Sequence, residues 1–196
     1  MIASLFSAVG AASNAGLNST LALLMLALAD RLTTRIDLAS PYSGITSTVG
    51  IIVILLVLPI ELIADKIPPI DSLSDRIHTV IRPPVGGFMA MAIASQPGGI
   101  NVWVAGVLGF LAAAGVHLYK MRSRTIVTTA TNGMGNPFLS IVEDVVAIVG
   151  TVVAIFVPYA AIPVVLILLW LTYRATERMK RGDFSIERLL GVKTRA

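Results

Sequence analysis

The sequence predicts an all-α membrane protein, a polytopic helical bundle of about six crossings. The chain is 56% hydrophobic and 13% charged, with a mean hydropathy of +0.85, and this composition is typical of membrane proteins rather than soluble domains. Long apolar runs alternate with short basic segments. Each crossing takes about 20 residues, so the 196 residues form a single membrane domain, 1–196.

The rest of the composition limits the chemistry. The chain has no cysteine, which excludes disulfides, thiolate metal sites and cysteine nucleophiles. Its formal net charge is +4, but the basic residues lie beside hydrophobic runs, which is typical of membrane topology rather than of a nucleic-acid interface. No phosphate-binding loop, nucleophile motif or dinucleotide fingerprint is present. We therefore expect no enzyme activity, catalytic residue, cofactor, metal or nucleic-acid partner.

Six apolar runs are predicted to form the crossings. They are residues 2–29, 48–64, 85–95, 102–119, 137–157 and 164–176. The first run is longer than one crossing and contains Asn and Gly at 14–18, which predicts a broken helix. The third run is short, and it either crosses or enters the membrane and returns. Residues 70–81 have one apolar and one polar face, which predicts a short interfacial amphipathic helix.

Lys and Arg concentrate in the segments 66–82, 120–124 and 174–195. The positive-inside rule places such segments in the cytoplasm. With six crossings, both termini are then cytoplasmic, and we expect a multi-pass protein of the cell (inner) membrane. The basic tail is expected to carry a surface helix at 185–190, and a tight turn is expected at 158–163.

One local pattern occurs twice in the chain. Ala12, Ser13, Asn14, Asn18 and Leu21 match Ala130, Thr131, Asn132, Asn136 and Leu139 at a constant offset of 118 residues. A weaker match relates 71–77 to 183–189. These matches predict an internal duplication, with repeat-like halves 1–82 and 120–192 around a central hairpin 83–119. The halves are parallel if 85–95 crosses, and antiparallel, as in many transporters, if it does not.

The two matching breaks form the first candidate site. Asn14, Asn18, Asn132 and Asn136 lie at breaks flanked by glycine, where helix N-termini offer free amides and a positive dipole end. Helix capping is the alternative explanation of each asparagine. If the two breaks meet, they form one shared site for a polar or ionic group.

Acids inside apolar runs form the second candidate site. They are Glu61, Glu143 and Asp144, and a charge at such a position costs several kcal/mol unless it is paired, hydrated or protonated. Glu143 and Asp144 project about 100° apart on a helix, so one can meet a pocket while the other pairs elsewhere. The functional interpretation is a proton or cation site. The alternative is a structural ion pair with the bases at 120–124.

Further polar residues are predicted to pair with these acids or to gate the site. They are Asp65, His78, Arg82, His117 and Lys120. An acidic cytoplasmic patch is also expected, made of Glu61, Asp65, Asp71, Asp75 and His78. Its spacing is compatible with a divalent metal, but salt bridges to Lys66, Arg76 and Arg82 are favoured.

An ordered set of motifs resembles a known family. The motifs are Ala15-Gly16-Leu17-Asn18; Glu61 with Ala64-Asp65-Lys66-Ile67-Pro68; Asp71, Asp75, His78-Thr79 and Arg82-Pro83; Gly115-Val116-His117 with Lys120; and Gly133 to Pro137 with Ser140, Glu143 and Asp144. Together they resemble the uncharacterised membrane family catalogued as domain of unknown function 4126, over nearly the whole chain. Ser19-Thr20 stand where this family is expected to have Ala-Tyr. The resemblance implies a small integral membrane protein and no particular activity.

From these observations we expect a transporter or channel for a small polar or ionic solute, with its site at the paired breaks, Glu61 and Glu143. The alternative is a non-catalytic accessory or assembly subunit of a larger membrane complex. The small-residue face of Ala105, Gly109 and Ala113 suits that role or a homo-oligomer, because it lets another helix approach closely. A membrane enzyme acting on a lipid headgroup is the third interpretation. The expected partners are the lipid bilayer and either a second copy or a larger complex.

Overall fold

The computed structural model describes residues 1–65 and 67–180. In this part of the chain the predicted all-α class is confirmed, with seven α-helices, one short 3-10 helix and no strand. The elements are α1 (Ile2–Ala15), α2 (Ser19–Leu32), the 3-10 helix (Tyr42–Gly44), α3 (Thr48–Ala64), α4 (Pro68–Ala94), α5 (Val102–Thr131), α6 (Asn136–Phe156) and α7 (Pro158–Lys180). The predicted helix at 185–190 and the weak repeat at 183–189 lie outside the described residues.

The first apolar run is broken at the predicted place, between α1 and α2. Asn18 is the N-cap of α2, and its Oδ1 accepts a hydrogen bond of 3.0 Å from the backbone N–H of Leu21, which satisfies one free amide of the new helix. α1 packs against α4, α5, α6 and α7. The break at the end of α1 therefore lies inside the bundle.

The segments 70–81 and 85–95 form one continuous helix, α4, so their prediction as two separate elements is wrong. Pro83 and Pro84 lie inside this helix although each lacks a hydrogen-bond donor. Tight packing offsets that loss, because a Cβ atom added at Gly86 would overlap the Cβ of Ala113 in α5. The two helices approach as closely as a glycine contact allows.

α5 continues to Thr131, beyond the predicted end at 119, so the basic segment 120–124 is helical. The small-residue face of α5 is buried within the chain, since a Cβ atom at Gly109 would overlap the Cβ of Ala90 in α4. This face therefore packs against the protein's own helices.

The second break separates α5 from α6. Asn132 and Gly133 have positive φ angles of 51° and 85°, a conformation typical of helix C-caps. α6 begins at Asn136, one residue before the predicted run 137–157. The expected capping by Asn136 is not observed, because Gly135 occupies the N-cap position and the Asn136 amide donates to Thr128 Oγ1 at 2.8 Å.

The turn predicted at 158–163 is reduced to Val157, because α7 already begins at Pro158, where proline fits the first helical turn without losing a hydrogen bond. Among the described helices, α5 and α6 are long and apolar enough to cross a membrane. α1, α3 and the start of α7, Pro158–Ile167, are apolar but shorter.

Small side chains fill the interior, and large apolar ones cover the outside. The fully buried residues include many alanines, among them Ala8, Ala12 and Ala90. On α3 only Ile54 and Glu61 are buried. The interior also holds large aliphatic side chains such as Leu26, Met89 and Ile155, so the distinctive feature is the extent of the exposed apolar surface.

Candidate functional site

Four helices bring ionisable side chains together inside the bundle. We call this set the ionic cluster, and its members are Glu61 and Asp65 at the end of α3, Asp75, His78 and Arg82 of α4, His117, Lys120 and Arg124 of α5, and Glu143 of α6. All are buried except His78, whose side chain is 14% exposed. Spacings of three and four residues place the members on one face of α4 and one face of α5.

Asp65 occupies the centre of the ionic cluster. Its Oδ2 lies 2.9 Å from Lys120 Nζ, 3.2 Å from Arg124 Nη2 and 3.7 Å from Arg82 Nη2. Its Oδ1 accepts a hydrogen bond from Ser74 Oγ at 3.3 Å. One carboxylate thus joins the end of α3 to both α4 and α5.

Glu143 connects α6 to the same cations. Its Oε2 lies 2.6 Å from Arg124 Nη2 and 3.3 Å from Lys120 Nζ. The ion-pair alternative for Glu143 is therefore observed geometrically, but in the interior rather than at the surface. Arg122, the other base of this segment, is exposed.

Arg82 links Glu61 to the histidines. Its Nη2 lies 3.0 Å from Glu61 Oε1, and its Nη1 contacts His117 Nδ1 at 3.1 Å. His78 Nε2 lies 3.5 Å from the same Glu61 oxygen. His78 belongs to α4, which is not one of the two helices long and apolar enough to span a membrane. Burial, together with the positive charge of Arg82, lowers the pKa of His78.

The hydrogen bonds around His117 fix its protonation state. Arginine can only donate, so His117 Nδ1 must accept from Arg82. The Thr79 hydroxyl donates its proton to the Asp75 carbonyl at 2.8 Å, so its oxygen accepts from His117 Nε2 at 3.0 Å. His117 is thus a neutral imidazole with its proton on Nε2.

Asp75 is the loosely paired acid of the ionic cluster. Its closest ion pairs, to Arg82 Nη1 and Arg124 Nη1, are both 3.9 Å long, and its Oδ1 is buried without a hydrogen-bond donor. Burial raises the pKa of Asp75 to about 6, although Lys120 and Arg82 oppose the shift. A carboxyl group in this setting can exchange a proton near neutral pH.

The first break adjoins the ionic cluster. Lys120 Nζ donates to the Leu17 carbonyl at 2.8 Å, and Asn18 Nδ2 donates to Asp144 Oδ1 at 2.9 Å. Asn14 lies against Gly150 of α6, where an added Cβ would overlap its Oδ1. Asn14, Asn18 and Asp144 therefore belong to the same polar interior.

The second break does not supply the ionic cluster with the expected partners. Asn132 is exposed. Asn136 is buried, but its side chain exchanges hydrogen bonds with Thr128, which closes the turn between α5 and α6. At the first break, the Asn18 side chain thus contacts an acid of α6, Asp144.

A small cavity of about 30 Å³ lies beside the ionic cluster, between α1, α5, α6 and α7. Its polar wall is formed by Ser13, Asn14, Lys120, Ser123 and Glu143, and the rest of the lining is apolar. Its volume is that of one or two water molecules, and most of its exposed lining is apolar. Glu143 and Lys120 therefore border a site that water can occupy.

Two members of the ionic cluster were predicted in lesser roles: Asp75 as one acid of the cytoplasmic patch, and Arg124 as one of the bases at 120–124 able to pair with Glu143. Lys120 and Arg124 are four residues apart and share one face of α5. This spacing indicates that both bases face the bundle interior, but only when the helix extends past residue 119. Of the salt-bridge partners expected for the acidic patch, Arg82 is in place, and Arg76 is exposed. Lys66 and the side chain of Asp71 lie outside what the structure describes.

No metal or cofactor position can be assigned from the described side chains. Among them, no group of three or more Asp, Glu or His residues has a geometry that could hold a metal ion. The carboxylates of the ionic cluster instead face the cations of α4 and α5.

Comparison with known proteins gives one relationship. Neither a curated protein nor a solved structure matches the chain. A family model described as "Domain of unknown function (DUF4126)" matches residues 5–178, a range that includes every member of the ionic cluster and both helix breaks. The chain belongs to this family, domain of unknown function 4126.

Proposed function

We propose that this chain is a multi-pass membrane protein that moves protons, alone or coupled to a small polar solute, through a site centred on the ionic cluster. The charge imbalance among the buried side chains carries this proposal. The site residues are the ionic cluster together with Asn14, Asn18 and Asp144 at the first break.

A membrane location is supported by the distribution of side chains. α5 and α6 are long and apolar enough to span. Large apolar residues such as Ile52, Leu56 and Ile60 of α3 are exposed, and such a surface is favourable in contact with lipid. Inside the bundle the charged groups are screened from that lipid, which is the arrangement expected of membrane proteins with polar pathways.

The buried acids outnumber the buried cations in the described part of the chain. Within the ionic cluster the acids are Glu61, Asp65, Asp75 and Glu143, and the permanent cations are Arg82, Lys120 and Arg124. The histidines do not balance the difference, because His117 is neutral and the pKa of His78 is lowered. An uncompensated buried charge costs several kcal/mol. The ionic cluster therefore favours binding of a cation. A proton is the smallest cation, so it fits this closely packed interior best.

Water access supports the same proposal. The cavity beside Glu143 and Lys120 has room for one or two water molecules. It is too small for an organic solute, so a proton is the species that this arrangement accommodates best.

The test is proton flux into liposomes that contain the purified protein and a pH-sensitive dye. A potassium gradient with valinomycin supplies the driving potential. We expect flux well above that of empty liposomes, and a loss of at least about tenfold in Glu143→Gln, because this variant removes the acid at the cavity. Asp37→Asn, a neutralisation of an exposed acid, is the matched control and should retain flux. Flux equal to that of empty liposomes in every sample rejects the proposal.

An accessory or assembly role is the second candidate, and one observation favours it. The ion pairs at Asp65 and Glu143 are short and join four helices, so the ionic cluster can stabilise the fold without any ligand. A stoichiometric partner that co-purifies with the chain, together with no proton flux, would support this role instead.

A further inference from the structure

We propose that Asp75 is the residue that binds the transferable proton of the ionic cluster. This assignment deepens the proposed function and rests on it for the role of that proton in transport. Asp75 was expected only as one acid of a cytoplasmic patch, whereas among the acids of the cluster it is the one whose shortest ion pair is 3.9 Å long.

The other three acids of the ionic cluster each have a close cation. Glu61 lies 3.0 Å from Arg82, Asp65 lies 2.9 Å from Lys120, and Glu143 lies 2.6 Å from Arg124. Three acids and three cations thus pair one to one. Asp75 is the acid of the ionic cluster left over from this pairing.

The contacts of the Asp75 carboxyl allow it to be protonated. Its Oδ1 is buried and accepts no hydrogen bond, and its two ion pairs are 3.9 Å long, which is beyond hydrogen-bond distance. A largely buried carboxylate with one oxygen that accepts no hydrogen bond loses much of its hydration without full compensation. Protonation removes this cost and leaves the three short ion pairs unchanged.

Charges from every neighbouring helix act on Asp75. Arg82 of its own helix and Lys120 of α5 favour the ionised form, whereas Asp65 at the end of α3 and Glu143 of α6 favour the protonated form. Burial is the largest influence and also favours the protonated form. Arg124 of α5, 3.9 Å away, is a further cation facing Asp75. Because burial outweighs these cations, the pKa of Asp75 is raised to about 6. The neighbouring Arg76 is exposed, so this turn of α4 lies close to the bundle surface, from which a proton can arrive.

Infrared titration of the purified protein tests the assignment directly. We expect a carboxylic-acid C=O band that disappears as the pH rises through about 6. It should be absent in Asp75→Asn and unchanged in Asp37→Asn. The band should change in frequency or midpoint in Asp75→Glu, which keeps a titratable carboxyl if the asparagine variant does not fold. No titrating band in the native protein, or a band that persists in folded Asp75→Asn, overturns the assignment.

The flux assay separates this inference from the proposed function. An Asp75 band in a protein without proton flux supports Asp75 as a proton-binding residue and rejects transport. Flux that is unaffected in folded Asp75→Asn rejects the role of Asp75 and leaves the transport proposal in place.

Discussion

The Nζ of Lys120 donates a hydrogen bond of 2.9 Å to Oδ2 of Asp65, and neither side chain reaches the surface. The same ammonium group donates to the Leu17 carbonyl at the first helix break. One lysine of α5 therefore connects the end of α3 to the turn between α1 and α2. Removing Asp65 leaves Lys120 with its 3.3 Å pair to Glu143, and removing Lys120 leaves Asp65 with its longer pairs to Arg124 and Arg82. The loss of the shortest pair makes this contact a sensitive point for mutation.

We expect Asp65→Asn to lower the free energy of unfolding by about 3–5 kcal/mol, because Lys120 loses its shortest buried ion pair and Arg124 and Arg82 lose the carboxylate that they share with it. Asp65 is the most damaging acid to neutralise, since its Oδ2 faces three cations. Chemical unfolding in detergent measures the difference. Asp37→Asn should change stability by less than about 0.5 kcal/mol, as surface substitutions usually do. Equal effects of the two variants would contradict the central position of Asp65.

Arg124 and Arg122 form a matched pair of bases on one helix. Arg124→Gln should destabilise the protein, because Glu143 loses its 2.6 Å partner, whereas Arg122→Gln alters an exposed side chain. A double-mutant cycle of Arg124→Gln with Glu143→Gln should give a coupling energy of about 0.5–3 kcal/mol. Additive effects would mean that the two side chains do not interact in solution.

The neutral state of His117 can be observed by nitrogen NMR. We expect the proton on Nε2, since Nδ1 accepts from Arg82. His117→Phe should cost about 1–3 kcal/mol, because the buried Arg82 Nη1 loses its acceptor. An imidazolium signal at neutral pH would be inconsistent with the hydrogen bonds described above.

The two helix breaks should respond differently to mutation. Asn18→Ala removes the N-cap of α2 and should cost about 0.5–2 kcal/mol, in addition to the lost hydrogen bond to Asp144. Asn132→Gly should be neutral or slightly stabilising, because glycine adopts the positive φ of 51° at this exposed position without strain. Thermal unfolding of both variants provides the comparison, and similar losses would indicate that the breaks are equivalent.

Asp75 should make stability depend on pH. Its pKa is raised by burial from an ordinary value of 3.8 to about 6, so the folded protein holds this proton more tightly than the unfolded chain. Stability from this group is therefore complete below about pH 4 and is lost as the pH rises through about 6. The native protein should lose about 3 kcal/mol across this range relative to Asp75→Asn. Parallel pH profiles for the two proteins would show that Asp75 does not titrate there.

The sequence predicted the first break and, to within one residue, the start of α6, because Asn18 lies two residues after Gly16 and Asn136 lies between Gly135 and Pro137. It failed at Pro83 and Pro84, where two prolines predict a helix end. Whether a helix continues through proline depends on tertiary packing, in this case the contact of Gly86 with α5, and local sequence does not report such contacts.

The candidate site was predicted in part for a similar reason. Hydropathy identified Glu61 and Glu143 because a charge inside an apolar run is conspicuous. Asp75 and Arg124 lie in polar stretches that resemble solvated segments, so their burial depends on how α4 and α5 meet. The apparent duplication related Asn132 to Asn14, but similar local sequence does not fix the environment of a side chain, and Asn132 is exposed.

The glycine contacts between α4 and α5 have a consequence for any working cycle of this protein. Helices packed so closely that a methyl group cannot be inserted at Gly86 or Gly109 cannot slide past each other without separating, so this pair forms a fixed frame. α3 has two buried residues, Ile54 and Glu61, so less of its surface is packed against the other helices. α3 is instead tied to this frame at its end by the buried ion pairs of Glu61 and Asp65, so its position depends on electrostatic contacts more than on close helix packing.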